Sequence, residues 1–532
     1  MSTPQSLIYI CSGVRLDNRY EHTIFFENKT KQDMYFLEKV VKTYRAYTYL
    51  RKSWPLQVEA TMEEARTWSY LFFQNGGTGK IYYYFITQVE YKNENMVELT
   101  LELDVLQSYL FDFTLQPCFV ERQHTPDDAR GDYVLDEGLD CGELWDCGTY
   151  DYTAIQNLCI MVLATINPNN ATTTRPTPAL ANMYNNVFSG LKVWAVPKAK
   201  WQAWGNQLEA LSEAGFLDGI VSMWMYPQAL VELGGEATWA DDDICKPVAS
   251  FPDGGIGINA PTDDTPFQGY VPKNNKLYTF PYNFLYVTNN AGNSAIYRYE
   301  RFTNPNAPTF NLYGTVSPDG GVILAPRKYN GVEVNFDNRL VLGNYPTCAW
   351  DSDTYKMWLA QNQNQLNVAG LEGAVKVVAG IGAGVAGALT GNVAGGMGGV
   401  VSAMSGVSQI AGLVAQNKDM QVQPPQSRGA FSATANITAG KQTFSFYHKC
   451  LTSSAAKIID GYLTMYGYKL NSLRTPSINA RPAFTYVKTI GCKVVANLCS
   501  EDVTKIEAIF DRGITWWKNG DKICDYSQDN SV

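Results

Sequence analysis

Residues 81–105 read IYYYFITQVEYKNENMVELTLELDV, and two patterns in this stretch decide the fold class. Residues 81–91 are a run of aromatic and β-branched side chains, the composition that suits a pleated, half-buried surface. Beyond them Val97, Leu99, Leu101, Leu103 and Val105 alternate with Glu98, Thr100, Glu102 and Asp104. A period of two puts one set on a buried face and the other in water. The polar Lys92-Asn93-Glu94-Asn95 between the two runs predicts a turn, so the segment is expected to fold as a β-hairpin. Just upstream, Thr61 is placed to cap a short helix with Glu63 and Glu64 in its first turn.

The pattern changes on moving outward from the hairpin. Residues 119–357 carry short strand-like runs such as CIMVLATI and KLYTFPYNFLYVT, separated by turn-rich stretches such as NPNNATTTRPTP and FPDGGIGINAPTDDTPFQGY. This spacing fits β-rich domains inserted into a first domain, with a helix expected within residues 197–215. The last hundred residues return to aromatic strands around FSFYHKC, LTMYGYKL and AFTYVKTIGCKVV. Near the end Ser500 is placed to cap a helix with Glu501 and Asp502 in its first turn, a buried stripe of Val503, Ile506, Ile509 and Phe510, and Gly513 as its stop. The expectation is a mainly β protein with minor α. Residues 1–118 and 429–532 form two parts of one body, 119–357 are inserted, and 358–428 form a long apolar loop.

Composition narrows the function. The chain has 532 residues, enough for three or four domains at about 150 residues each. Charged residues make up 17%, aromatic residues 13%, and the net charge is −9. Disorder is excluded, and so is a protein that wraps nucleic acid, which needs clustered Lys and Arg to displace counterions. Residues 1–20 lack a basic stretch followed by an apolar one, so no secretory signal is read there and cytosolic synthesis is expected. The 11 cysteines are odd in number, and the nearest pairs, Cys141/Cys147 and Cys492/Cys499, lack C-x-x-C or zinc-site spacing. Buried free thiols are therefore expected.

The most unusual stretch is residues 377–417, with no charge, no aromatic ring, 11 Gly and 8 Ala. As one helix these residues would reach about 62 Å, roughly twice the 30 Å hydrocarbon thickness of a bilayer, so a helical hairpin reversing near residues 391–399 fits better. The membrane-facing side chains would be Val377, Val378, Ile381, Val385, Leu389, Val393, Met397, Val400, Met404, Val407, Ile410 and Leu413. Small residues recur at every fourth position as Ala379, Ala383, Gly387, Gly391, Gly395, Gly399 and Ala403, a row that lets helices approach closely in lipid. In water each Gly costs about 1 kcal/mol of helix stability relative to Ala, which predicts irregular backbone there. In lipid each unpaired amide costs several kcal/mol, which drives the same chain into helix. The competing readings are a buried helix pair, a Gly/Ala linker or a constitutive membrane anchor.

Other motifs are weaker. Gly76-Gly77-Thr78-Gly79-Lys80 suggests a phosphate loop, but the first Gly of that motif would fall at Gln74 and Ile81 follows the lysine, so a strand-connecting turn is expected. His22, His124 and His448 are far apart, and no G-x-S-x-G elbow exists. His124, Asp127 and Asp128 could hold a metal, although Asp side chains that accept backbone amides in an ordered loop explain them as well. Asp241-Asp242-Asp243 lacks the Gly and Glu of a calcium loop. Asn28, Asn170 and Asn436 match N-x-[ST] but mean nothing without secretion. No cofactor and no catalytic residue is assigned.

The hairpin, leading into PCFVERQHTPDD and LDEGLDCGE, resembles the N-terminal block of the distal tail, or tail-knob, proteins of small podophages of the Salasmaviridae and Picovirinae kind. DGYLTMYGYKLN, RPAFTYVKTIGCKVV and EDVTKIEAIFDRGITWW are similar to the end of the same proteins, and the Gly-rich loop falls between the two blocks. The resemblance covers residues 79–143 and 460–517 and leaves about 150–355 unassigned. It implies a structural virion protein at the distal end of the tail, six copies building a tube on tail-tube-like β-barrel domains. Other tail proteins would be its neighbours and phage DNA would pass through the lumen without specific binding. Residues 377–417 would plug the mouth and then enter the host cytoplasmic membrane as a pore. Several marginal hairpins inserting together would succeed where one would not. The rival functions are a cell-wall-degrading or other enzyme of the tail tip, and a non-viral pore-former.

Overall fold

The computed structural model describes residues 6–47, 55–164, 167–169, 182–184, 187–189, 192–213, 219–234, 243–252, 254–260, 266–314, 321–343, 345, 347–349, 430–432 and 443–532. The chain forms two compact units, and it passes between them four times. One unit combines residues 1–145, 265–282 and 451–532, and the other combines 146–264 and 283–450.

The first unit is organised by the hairpin. Strands Ile81–Asn93 and Met96–Leu103 pair antiparallel, with Val97, Leu99, Leu101 and Leu103 buried as the alternation predicts. The register pairs Asn93 with Met96, so the turn is the two residues Glu94-Asn95 rather than four. These strands lie in a six-stranded antiparallel sheet in the order Val40–Tyr47, Ser6–Ser12, Trp68–Gln74, Ile81–Asn93, Met96–Leu103, Leu56–Glu59. Thr61 closes a capping box with Glu64 before the short helix Met62–Ala65.

The alternation fails at its last two positions. Asp104 turns inward and caps the helix Val105–Tyr109, accepting from the Leu106 and Gln107 amides at 3.1 Å each and from the Tyr70 hydroxyl at 2.8 Å. Burial pushes its carboxyl up to about 6 against the opposing pull of these donors. The folded state therefore binds this proton more tightly than the unfolded chain does. The contribution is fully present below the ordinary value of 3.8 and is lost as pH rises through about 6. Asp104→Asn should remove it: the stability difference between wild type and variant, followed by urea unfolding, is expected to move toward wild type by on the order of 3 kcal/mol between pH 7.5 and pH 4. A pH-independent difference would refute this origin.

A second sheet of this unit joins the two ends of the chain. Its order is His22–Ile24, Ile514–Trp517, Phe484–Ile490, Cys118–Gln123, Tyr468–Arg474, and its first pair is parallel. The helix Ser500–Arg512 packs Ile506, Ile509 and Phe510 into the core with Trp516 and Trp517, and Gly513 at φ 98° ends it. Cys499 rather than Ser500 occupies the cap position, and Val503 is only half-buried. Gly467, at φ 65°, ends the helix Ser453–Tyr466 where an added Cβ would lie 2.4 Å from the Gln123 carbonyl carbon.

The second unit is built on a seven-stranded antiparallel sheet in the order Glu232–Leu233, Lys246–Ser250, Lys192–Pro197, Leu158–Ala164, Ile220–Pro227, Thr347–Ala349, Ala430–Ser432. Leu158–Ala164 is almost wholly buried, as a continuous apolar run requires of a central strand. The expected helix is Trp201–Glu213, anchored by Trp201, Trp204, Leu208 and Leu211. A four-stranded sheet, Leu144–Asp151, Ser445–Leu451, Asn283–Thr288, Ser294–Tyr297, and a sheet around Thr309–Gly314 and Val322–Tyr329 complete the core.

The cysteines depart from expectation. Cys147 and Cys450, 303 residues apart, are joined by a disulfide between neighbouring strands of the four-stranded sheet. Local spacing carries no trace of a pair that only tertiary folding brings together. Cys11, Cys118, Cys159, Cys245 and Cys492 are buried thiols as anticipated, whereas Cys499 and Cys524 are exposed.

Candidate functional site

The apolar segment is emitted and recovered at one place on the second unit. Thr347–Ala349 pairs antiparallel with Ala430–Ser432, in the register Thr347 with Ser432, Cys348 with Phe431, and Ala349 with Ala430. Thr347–Ala349 in turn pairs with Ile220–Pro227, through Ser222 with Ala349 and Trp224 with Thr347. The stem is therefore a two-stranded ribbon continuing the edge of a sheet whose inner strands are anchored in the core. Residues 350–429, which contain every side chain expected to insert in a membrane and the whole small-residue row, lie outside the described residues. Among the described residues, no helix is long and apolar enough to cross a membrane.

The other sequence candidates resolve into local structure. Residues 75–80 are a turn between Trp68–Gln74 and Ile81–Asn93. The Asn75 and Lys80 backbones close it at 2.9 Å, the Asn75 side chain accepts from the Gly77 amide at 2.9 Å, and Gly79 sits at φ 72°. His124 is buried with both ring nitrogens on backbone: Nε2 lies 3.0 Å from the Thr464 carbonyl oxygen, and Nδ1 accepts from the Tyr486 amide at 2.8 Å. Burial and the nearby Arg481 push its proton affinity down to about 3, so the ring is neutral at physiological pH. Asp127 binds the Tyr133 hydroxyl, and Asp128 accepts from the Asn275 amide at 3.0 Å and from the Tyr468 hydroxyl. With both imidazole nitrogens committed, these three residues do not form a ligand set, and among the described residues no group of three acidic, His or Cys side chains could hold a metal. Asn28 caps the helix Lys29–Glu38, and Asp243 pairs with Lys246. Asn170, Asn436, Asp241 and Asp242 lie outside the described residues.

Two polar centres of the first unit had no signal in the sequence. Asp460, on the helix Ser453–Tyr466, accepts from the Tyr270 hydroxyl at 2.7 Å, the Lys273 amide at 2.8 Å, and the Asn274 amide and side chain at 3.1 and 2.8 Å. That carboxylate binds residues 265–282 into the unit. Glu137 is fully buried between Arg122 and Lys276 and also accepts the Lys469 amide at 3.0 Å. Arg122 extends the centre to the Gly467 carbonyl at 2.8 Å and stacks on the Tyr462 ring at 4.9 Å. Desolvation draws the Lys276 ammonium below its ordinary value, and Glu137 opposes that shift.

A split β-rich body whose two chain ends share one sheet is also the fold of a solved phage tail knob protein. The solved bacteriophage C1 tail knob protein, gp12, has this fold: it matches with a TM-score of 0.66 over 99% of each chain at 13% identity. The chain belongs to the family of the Bacillus phage phi29 tail knob protein gp9, whose C-terminal domain matches residues 249–531, more than half of the sequence. Residues 4–114 match the N-terminus of the caudoviral major tail protein. Tail knob protein gp9 of Bacillus phage B103 is 26% identical, and that of phage phi29 24% identical, each over 99% of this chain and 98% of the relative. The likeness thus extends through residues 150–355, which the sequence blocks left unassigned. The protein is a structural component of a phage tail.

Proposed function

We propose that six copies form a tube at the distal end of the tail, that the tube passes the genome, and that residues 377–417 first plug its lumen and then enter the host cytoplasmic membrane as a pore. The observation that carries this reading is an uncharged, ring-free stretch of aliphatic and small residues between two strands paired at Ala349 and Ala430. A paired stem returns the chain to its starting point, as a hairpin entering a membrane from one side requires. The solvent dependence follows from backbone hydrogen bonding: irregular where water satisfies the amides, helical where it is absent. A net charge of −9 suits a conduit that lets DNA slide without adhering. The work done is mechanical and electrostatic rather than catalytic.

A peptide spanning residues 377–417 is expected to become helical on adding liposomes and to release trapped dye. Unchanged circular dichroism with lipid would defeat the reading. Gly387→Leu combined with Gly391→Leu should reduce leakage although it raises apolarity, because bulk in the small-residue row blocks close helix approach. Increased leakage would mean that simple partitioning, not helix packing, makes the pore.

A further inference from the structure

Two cysteines of the first unit meet at a seam between sequence-distant strands. Phe119 pairs with Ile490, and farther along Leu115 pairs with Val494. Between these points the Gln116 amide donates to the Lys493 carbonyl at 2.9 Å. Cys118 lies on one side of this short interval and Cys492 on the other. Along its strand Cys118 shares the buried face with Val120, while Phe119 points outward. On the opposite strand Gly491, at φ 66°, re-aims the chain just before Cys492. Asp511, on the helix Ser500–Arg512, holds this turn by accepting from the Cys492 amide at 2.9 Å, the Gly491 amide at 3.1 Å and the Thr489 hydroxyl at 2.7 Å. The Cys118 and Cys492 thiols lie near enough to influence each other electrostatically, and the residues are 4% and 2% exposed.

We propose that Cys118 and Cys492 are a second cross-linking site, which a low-molecular-weight disulfide converts to a protein disulfide. One thiolate attacks the small disulfide, forming a mixed disulfide and releasing one small thiol. The second cysteine then attacks the protein sulfur of that mixed disulfide and releases the other. Two protein S–H bonds become one S–S bond, the oxidant's S–S becomes two S–H bonds, and no other reagent is needed. Burial pushes both thiols up, Cys492 to about 12, so attack requires local opening of the seam and is slow, and the bond once formed is shielded from reduction.

The position gives the bond its consequence. Cys147–Cys450 links strands of the second unit, and Cys118–Cys492 would link strands of the first, from pieces contributed by the N-terminal and C-terminal ends of the chain. The two loops are nested, and both enclose residues 350–429. Each unit would then carry one covalent closure between sequence-distant strands.

The test uses the full chain carrying Cys499→Ser and Cys524→Ser, to silence the exposed thiols. One sample is incubated folded with glutathione disulfide. A second is refolded from urea in a glutathione redox buffer, where access is not limiting. Both are alkylated under denaturing conditions and mapped by mass spectrometry. The expected result is a Cys118–Cys492 linked peptide in at least the refolded sample, together with a thermal midpoint several degrees above that of the same chain with Cys118→Ser. Recovery of Cys118 and Cys492 as separately alkylated peptides in both samples, with Cys147–Cys450 formed, would overturn the proposal.

Discussion

Replacing residues 350–429 by an Asn-Gly turn is expected to leave a folded protein that no longer breaches a membrane. The stem makes this replacement possible, because Ala349 and Ala430 are directly paired and a two-residue turn of that type matches the twist of an antiparallel ribbon. The two cores described above are assembled from residues on either side of the segment. The thermal midpoint is therefore expected to stay within about two degrees of wild type. Dye release from liposomes should fall to the level of lipid alone, and phage carrying the variant should assemble tails but fail to eject DNA across a membrane. An unfolded or aggregated product would mean that the segment is part of the globular interior. A folded variant that still permeabilises liposomes would move membrane activity elsewhere in the chain.

Glu137→Ala is expected to destabilise the first unit strongly. The Glu137 side chain is fully excluded from solvent, and its two oxygens face Arg122 and Lys276, of which Lys276 is 2% exposed at its side chain. Removing the carboxylate strands two buried cations and the Lys469 amide, a change that costs about 3 to 5 kcal/mol when one partner of a buried pair is deleted. A fall in the urea midpoint of the first unit, followed by the fluorescence of Trp516 and Trp517, measures it. Because the cost arises from unpaired charge rather than lost volume, adding Lys276→Met to Glu137→Met should recover part of the loss. A loss unchanged by that second substitution would point instead to packing or to Arg122 alone.

What was legible in the sequence shares one property: it depends on neighbours a few positions away. The alternation at Val97, Leu99, Leu101 and Leu103 marked a strand because side chains of a strand point to opposite faces every second residue. Thr61, with Glu63 and Glu64 in the first turn, marked a helix start because cap and first turn lie within four residues, and the structure closes a capping box there. The same local logic failed at Asp104, which continues the polar pattern but turns inward to cap a helix, and at Cys499, which takes the cap position next to the better capping residue Ser500. A pattern specifies which faces can be buried. It does not specify where the strand must stop.

The sequence alone determined that the chain is β-rich and that residues 377–417 carry chemistry foreign to the rest of it, because hydropathy, ring content and charge are additive along a chain. The tertiary structure alone decided which distant residues meet: Cys147 with Cys450, Glu137 with Lys276, Asp460 with the 265–282 insertion, and Ala349 with Ala430. Each of these contacts exists only after loops of many residues have closed, and burial of the surrounding apolar surface, not the two residues themselves, offsets the entropy of that closure. Nothing in the spacing of two such residues encodes that outcome.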